Sequence, residues 1–312
     1  MSPLSPEPMT PDRPPGPGPA PAPAKTAPAS PLRAQLASGR LTVPSCYDAL
    51  GFRMIARAGF PAAFLSGFSV SAARLGVPDA GLLSYGEMVA QTRDVAASAS
   101  IPLIVDGDTG FGNAQNVQRT VRGFAAAGAA CLMLEDQESP KRDFGAPGAV
   151  VPREDALRRV KAAVRAREAG TDLLIIGRTD ARNAHGQASG LAEALWRAAA
   201  FADLGADLVF VTGPHDAAEL ARIRAAARVP QIVQVDEPGR PALAPAQVHE
   251  VGFEVALYGI TLVLAAAAAF RDALAAMAAG RTLPGDRAVT SGEIGDIVGV
   301  TDYLAVERDL GT

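Results

Sequence analysis

The chain repeats one unit eight times: a short apolar run, a loop rich in Gly and Asp, then an amphipathic Ala-rich stretch. The runs are Leu41–Cys46, Ala62–Ser66, Pro102–Asp106, Ala130–Glu135, Leu173–Gly177, Asp207–Val211, Gln231–Val235 and Glu254–Tyr258. Strand signals alternating with helix signals predict a parallel sheet, because a helix must carry the chain back before the next parallel strand begins. Five of the helical stretches run into glycine, at Gly59, Gly128, Gly170, Gly205 and Gly252. Glycine relieves the left-handed strain of a helix stop, so five units end alike. An even count of eight, with no long central crossover, predicts closure into an α/β (β/α)8 TIM barrel over residues 36–280. The first run is followed by Cys46-Tyr47-Asp48-Ala49 rather than a glycine-rich phosphate loop, so nucleotide cofactors have no motif to bind to.

The flanks read differently. Residues 1–30 hold 11 of the 25 prolines, a composition that favours extended, solvated chain, and residues 1–35 are expected to form a disordered tail. Residues 281–312 are broken by Gly and Pro, and are expected to pack on a barrel end or on a neighbouring subunit. The net charge of −4, with Lys and Arg spread along the chain, supplies no basic stripe and argues against a nucleic-acid partner. The longest apolar run, Leu262 to Phe270, is shorter than the roughly 20 residues that span a bilayer, and the N-terminus has no basic-then-apolar signal, so no membrane partner is expected. Cys46 and Cys131 are the only cysteines and each lies in an apolar run. Such thiols predict burial without a disulfide, a reducing compartment and a cytoplasmic protein.

Active sites of such barrels form where the strands end. The third run closes on Asp106-Gly107-Asp108-Thr109-Gly110 and the fourth on Glu135-Asp136-Gln137. Carboxylates converging on one rim repel unless a cation sits among them, and hard oxygen ligands select Mg2+ or Mn2+. Asp106, Asp108 and Glu135 are therefore the expected metal ligands, and helix capping or pairing with Arg is the competing reading. The second run ends Ser66-Gly67-Phe68, where backbone N–H groups could hold a carboxylate or phosphonate or merely make a turn. Arg178 closes the fifth run and suits a bidentate grip on a carboxylate; a salt bridge to Asp180 is the alternative. The polar stretch from Glu138 to Gly148 is long for a connection, as lids often are, and would bring Lys141 and Arg142 over a substrate.

These segments resemble the isocitrate lyase and phosphoenolpyruvate mutase superfamily from about residue 40 to 305. The likeness rests on Cys46-Tyr47-Asp48-Ala49, Leu65-Ser66-Gly67, Leu75-Gly76-Val77-Pro78-Asp79, Asp106 to Gly112, Glu135-Asp136-Gln137, Pro140-Lys141-Arg142 and Arg178-Thr179-Asp180-Ala181, in that order. The resemblance implies a barrel whose last helix is exchanged with a neighbour, usually in a homotetramer. It implies Mg2+ or Mn2+ near Asp106, Asp108 and Glu135, the acid end of the substrate at Ser66 and Gly67, Tyr47 and Asp79 in the pocket, and Arg178 on a carboxylate. Tyr47, Asp79, Lys141 and Arg178 are thus the expected catalytic residues, and Ser66, Gly67, Phe68, Arg142, Thr212 and Gln234 the expected substrate-binding ones. The chemistry it implies develops an enolate of a pyruvate-like fragment.

The chain departs from that pattern at three places. Carbon–carbon lyases of the family carry a cysteine in the gate, Lys-Lys/Arg-Cys-Gly-His, where this chain reads Lys141-Arg142-Asp143-Phe144-Gly145. They also place a Glu after strand six and an Asn in strand seven, where Phe210-Val211-Thr212-Gly213 and Gln234 stand here. Decarboxylation or related C–C cleavage of a small 2-oxo or 2-hydroxy di- or tricarboxylic acid needs the fewest extra groups and ranks first. Chemistry at a P–C bond of a phosphonic acid is the alternative within the family, and a non-catalytic barrel binding a small acid is the alternative of another class.

Overall fold

A computed structural model describes residues 29–141, 149–184, 187–235, 243–283 and 288–311. Residues 1–28 of the expected tail, and Arg142 and Asp143 of the expected gate, lie outside these. Eight strands close into one parallel barrel in chain order: β1 Leu41–Cys46, β2 Ala63–Leu65, β3 Leu103–Asp106, β4 Cys131–Glu135, β5 Leu174–Thr179, β6 Leu208–Val211, β7 Gln231–Gln234 and β8 Val255–Tyr258. The closing seam pairs Leu41 with Val255 and Pro44 with Tyr258. All eight expected strands are present, with shifts of one or two residues at their ends. The glycines that end the five helices all have positive φ, from +81° at Gly59 to +105° at Gly170.

Side chains alternate across a strand, and the barrel sorts its apolar residues accordingly. Val43, Phe64, Ile104, Met133, Ile176, Phe210, Ile232 and Leu257 face inward and form one core cluster. Their neighbours, such as Leu65, Val105, Leu134, Val209 and Val233, face outward and pack under the helix layer in two further clusters.

The helices, in chain order, are α1 Ala29–Ser38, α2 Ala49–Arg57, α3 Gly67–Val70 (continued as a π-turn over Ser71–Leu75), α4 Tyr85–Ala96, α5 Ala114–Ala126, α6 Arg153–Glu168, α7 Ala181–Ala184, α8 Gln187–Asp203, α9 Ala217–Ala226, α10 Pro245–Val251, α11 Thr261–Ala278, α12 Ser291–Val298 and α13 Val300–Leu310. The expected tail boundary at residue 35 falls inside α1 and has to be corrected. Leu32 of α1 is 1% exposed and joins the inward core cluster, with Leu36 packed against it. Burying Leu32 and half-burying Leu36 gives this stretch what a proline-rich tail lacks, an apolar face to hold it.

At the other end, α11 has only Ala276 buried, while Phe270, Leu274 and Met277 are exposed. This helix is long and apolar enough, by length and composition alone, to cross a membrane, although Arg271 and Asp272 interrupt its apolar run and pair with each other. The shorter expected run had stopped at that charged pair. α12 lies against α2, whose Arg53 and Arg57 donate to the carbonyls of Ile297 and Asp296 near the end of α12.

Candidate active site

The inward alternation continues past the apolar positions. Two residues after Phe64, Ile104, Met133, Ile176, Phe210 and Ile232 come Ser66, Asp106, Glu135, Arg178, Thr212 and Gln234, so period two delivers a polar ring to the C-terminal mouth. Strand register fixes its neighbours: Glu135 pairs directly with Arg178 across β4 and β5.

The β3 exit is tightly built. Asp106 accepts the Gly67 N–H at 3.1 Å and the Asp108 N–H at 3.0 Å, and Asp108 accepts the Thr109 N–H at 2.7 Å. A Cβ on Gly67 would stand 2.9 Å from Asp106 Oδ2, and one on Gly107 would stand 2.7 Å from the Met133 carbonyl, so both positions require glycine. Asp108 itself has φ 49°, in the left-handed region that Asp tolerates better than most residues. Asp79, Asp106, Asp108 and Gly67 line a small pocket whose other wall is Leu83, Met88 and Phe111.

Glu135 and its partners form the electrostatic centre. Glu135 is 2% exposed, with Lys141 Nζ 3.2 Å from one oxygen and an Arg178 nitrogen 3.0 Å from the other. Neither contact has hydrogen-bond geometry, and both carboxylate oxygens are buried without a hydrogen-bonding partner. Lys141 also donates to Asp79 at 2.8 Å. Arg178 grips Asp180 bidentately, at 2.9 Å through each of two nitrogens. Burial pushes the Glu135 carboxyl up to about 8 against the opposing pull of Arg178 and Lys141. Burial likewise raises Asp106. Burial works against the charge on Lys141, but Glu135 and Asp79 outweigh it and hold the ammonium firmly protonated. Asp180 is also deeply buried, yet Arg178 holds its pKa below the usual carboxylate range.

The structure thus brings Asp79, Asp106, Asp108, Glu135, Lys141 and Arg178 to one mouth, with two departures from expectation. Among the described residues no three acidic, Cys or His side chains converge as a metal cluster, because Glu135 turns to Lys141 and Arg178 rather than to Asp106 and Asp108. The Gly67 N–H, expected to face a ligand, is taken by Asp106, and Ser66 Oγ accepts the Ser69 N–H as the cap of α3. Of the two alternatives weighed for Arg178, the salt bridge to Asp180 is present, and a further nitrogen of the same guanidinium reaches Glu135 at the mouth. Thr212 stands behind that pair, its hydroxyl 2.9 Å from Asp180 Oδ1. Gln234 lies beside Gly259, where a Cβ would come within 3.0 Å of its amide. Tyr47 packs against the helix-layer core, with its carbonyl accepting from Gln91, and Phe68 is half-buried in α3.

Sequence reasoning named Asp136 only as part of the Glu135-Asp136-Gln137 motif and gave no role to it or to Arg197, yet the two form a buried pair 2.9 Å apart. A signal existed: Arg197 falls on the stripe of α8 formed by Leu191, Ala194, Ala198 and Phe201, where a charge has no business unless it is paired.

A family model described as phosphoenolpyruvate phosphomutase matches residues 32–278. The chain belongs to the PEP mutase/isocitrate lyase superfamily. Among its relatives in this superfamily, 2,3-dimethylmalate lyase of Eubacterium barkeri is 36% identical over 289 residues, covering 91% of this chain and 98% of that one. The solved structure of oxaloacetate acetylhydrolase with the inhibitor 3,3-difluorooxalacetate superposes with a TM-score of 0.84 at 29% identity, over 91% of this chain and 97% of that one. A phosphonopyruvate hydrolase solved with oxalate and Mg2+ superposes with a TM-score of 0.79 at 32% identity, over 91% and 99%.

Proposed function

We propose that the chain is a divalent-metal-dependent carbon–carbon lyase acting on a small 2-oxo or 2-hydroxy di- or tricarboxylic acid. The observation that carries this reading is Glu135, a carboxylate buried between two cations at the mouth of a barrel whose relatives include acid lyases. The donor set fits a hard cation such as Mg2+ or Mn2+. Both Glu135 oxygens lack hydrogen bonds, Asp106 and Asp108 spend theirs only on backbone N–H groups, and burial raises Asp106 and Glu135, which nearby positive charge relieves. When bound among Asp106, Asp108 and Glu135, the cation would supply Lewis-acid charge against a developing enolate oxygen.

The chain's own residues do the rest. Arg178 is aimed into the mouth by Asp180 and offers its fork to a substrate carboxylate. Lys141 stays protonated and adds a second positive charge at the same carboxylate-binding end. The apolar wall of Leu83, Met88 and Phe111 stands beside Asp106 and Asp108 and lowers the polarity around them, which strengthens the charge interactions there. Cleavage at a P–C bond is the second reading, favoured by the phosphomutase family match and by the likeness to phosphonopyruvate hydrolase.

We further assign a homo-oligomer, a tetramer with the last helix exchanged, and a cytoplasmic location. The exposed apolar faces of α11 and α13, with Phe270, Leu274, Tyr303 and Leu310 each more than half exposed, support the first, and two buried free thiols support the second. The deciding experiment is a panel of oxaloacetate, methylisocitrate, dimethylmalate, phosphonopyruvate and carboxyphosphonoenolpyruvate with Mg2+, following pyruvate or phosphoenolpyruvate release. Release from a carboxylic acid supports the lyase reading; release only from a phosphonic acid replaces it with the second; no release from any of the five overturns both.

A further inference from the structure

Side chains that point inward at the mouth account for the site, yet a second polar cluster lies one residue further along the same strands. Asp136 follows Glu135 and so faces away from the mouth, into the layer between barrel and helices, where it is 1% exposed. One of its oxygens accepts the Asp180 N–H at 2.9 Å and the other accepts from Arg197 of α8 at 2.9 Å. Arg197 is 2% exposed, and it also donates to Glu193 and to the Val151 carbonyl. Residues 136–138 and 149–151 pair in turn, through Val151 N–H to Asp136 O, Glu138 N–H to Ala149 O and the bridge of Gln137 with Val150. Arg159 of α6 donates to the Glu135 and Gln137 carbonyls.

The β4 and β5 exits are therefore tied twice. On the inner side Arg178 pairs with Glu135, and on the outer side Asp136 holds the Asp180 backbone. Asp180 is the residue whose carboxylate fixes both Nε and a terminal nitrogen of Arg178. A guanidinium on a long stem has many rotamers, and a second tie on its anchor's backbone removes the freedom that the first leaves. A buried charged pair costs desolvation that an apolar pair would avoid, so the Asp136–Arg197 contact is weak evidence for stability by itself.

We infer that Asp136 and Arg197 form a positioning unit that holds Arg178 in its substrate-facing geometry by anchoring the Asp180 backbone. The inference rests on the lyase reading for what Arg178 grips. It predicts that losing the unit weakens acid binding through Arg178 alone. Arg178 would grip a carboxylate alike before and during reaction, so the loss falls on KM.

The test uses the full-length protein as Asp136→Asn and as Arg197→Lys, each alone and combined with Arg178→Lys. Asp136→Asn keeps size and one acceptor while dropping the charge; Arg197→Lys keeps the charge while dropping the fork. If the first does not fold, the second carries the test. One readout needs no substrate: amide exchange at Asp180 is expected to quicken by about tenfold relative to amides of β8. The other is kinetics on whichever acid the wild type turns over. KM is expected to rise about tenfold with kcat within about threefold, and each substitution should add less than about twofold on top of Arg178→Lys. Exchange that quickens evenly through the barrel, or KM effects that multiply in full with Arg178→Lys, would overturn the inference while leaving the lyase reading intact. A wild type inert toward every acid sinks the lyase reading instead, and Asp180 exchange then decides the positioning unit by itself.

Discussion

Gly177 stands one residue before Arg178 on β5, and its missing side chain is what lets α8 approach the strand. A Cβ built there meets three atoms of Phe201, at 2.8, 2.9 and 3.0 Å. Phe201 is 1% exposed in the core cluster beneath α8, so its ring has no open side to move toward. Restoring an ordinary contact of 3.4 Å requires ring and strand to part by about 0.6 Å. Overpacking of that size costs about 1–3 kcal/mol. Gly177→Ala should therefore lower the urea midpoint without altering the slope, measured at fixed protein concentration so that the proposed assembly would contribute equally to both proteins. The shift also reaches Arg178, so kcat/KM falls with the midpoint. Phe201→Ala supplies the control: it removes the ring atoms that the new Cβ would meet at 2.8 and 3.0 Å, and the two substitutions together should lose less than their separate losses combined. Strictly additive losses would mean that the ring and the glycine do not oppose one another, and the packing argument would fail.

Three further outcomes are expected. Phe270→Asp puts a charge on the exposed face of α11, and light scattering should report a smaller assembly; an unchanged mass refutes that face as a subunit contact. Burial pushes the Cys46 thiol up to about 12 and raises Cys131 well above its ordinary value, so a thiol reagent at pH 8 should label neither until denaturant is added, and rapid labelling of the native protein would contradict the core assignment. Hydrogen bonds from Arg153, with a second contribution from Arg197, hold Glu193 at about 2 rather than 4.5. A carboxylate depressed by folding stabilises above its unfolded pKa and stops doing so as pH falls through its folded one. The stability gap between wild type and Glu193→Gln should thus be full at pH 7 and close between pH 4.5 and 2; a gap independent of pH would show that the pairs with arginine contribute nothing.

The barrel was legible because its signal is repetition. A run such as Cys131-Leu-Met-Leu134 is ambiguous by itself, but eight of them separated by helices with glycine stops leave few ways to close a core. Boundaries were less legible where a tertiary contact sets them. Leu32 sits in a stretch that reads as continuous with the proline-rich tail, and only the open bottom of a closed barrel gives it something to pack on. The exposure of α11 was equally hidden, since an Ala-rich apolar helix reads the same whether it covers its own barrel or projects from it.

The mouth residues were legible for a simpler reason: a strand's last inward position is two residues past its last inward apolar one. That arithmetic finds Asp106, Glu135 and Arg178 from the chain alone. It cannot say which charges pair, because pairing depends on register between strands and on side-chain reach. Glu135 was expected to face Asp106 and Asp108, and instead lies opposite Arg178, its direct cross-strand neighbour, with Lys141 on its other oxygen. Nearest opposite charge wins over nearest like charge when all are buried, and an added cation has to compete with Lys141 and Arg178 for the same carboxylate. On the proposed reading, binding of a divalent cation and binding of an acid would be linked: an acid that paired with Arg178 and Lys141 would leave Glu135 to the cation. The affinity for each should rise in the presence of the other by the same factor, and titration calorimetry that finds the two independent would break that argument.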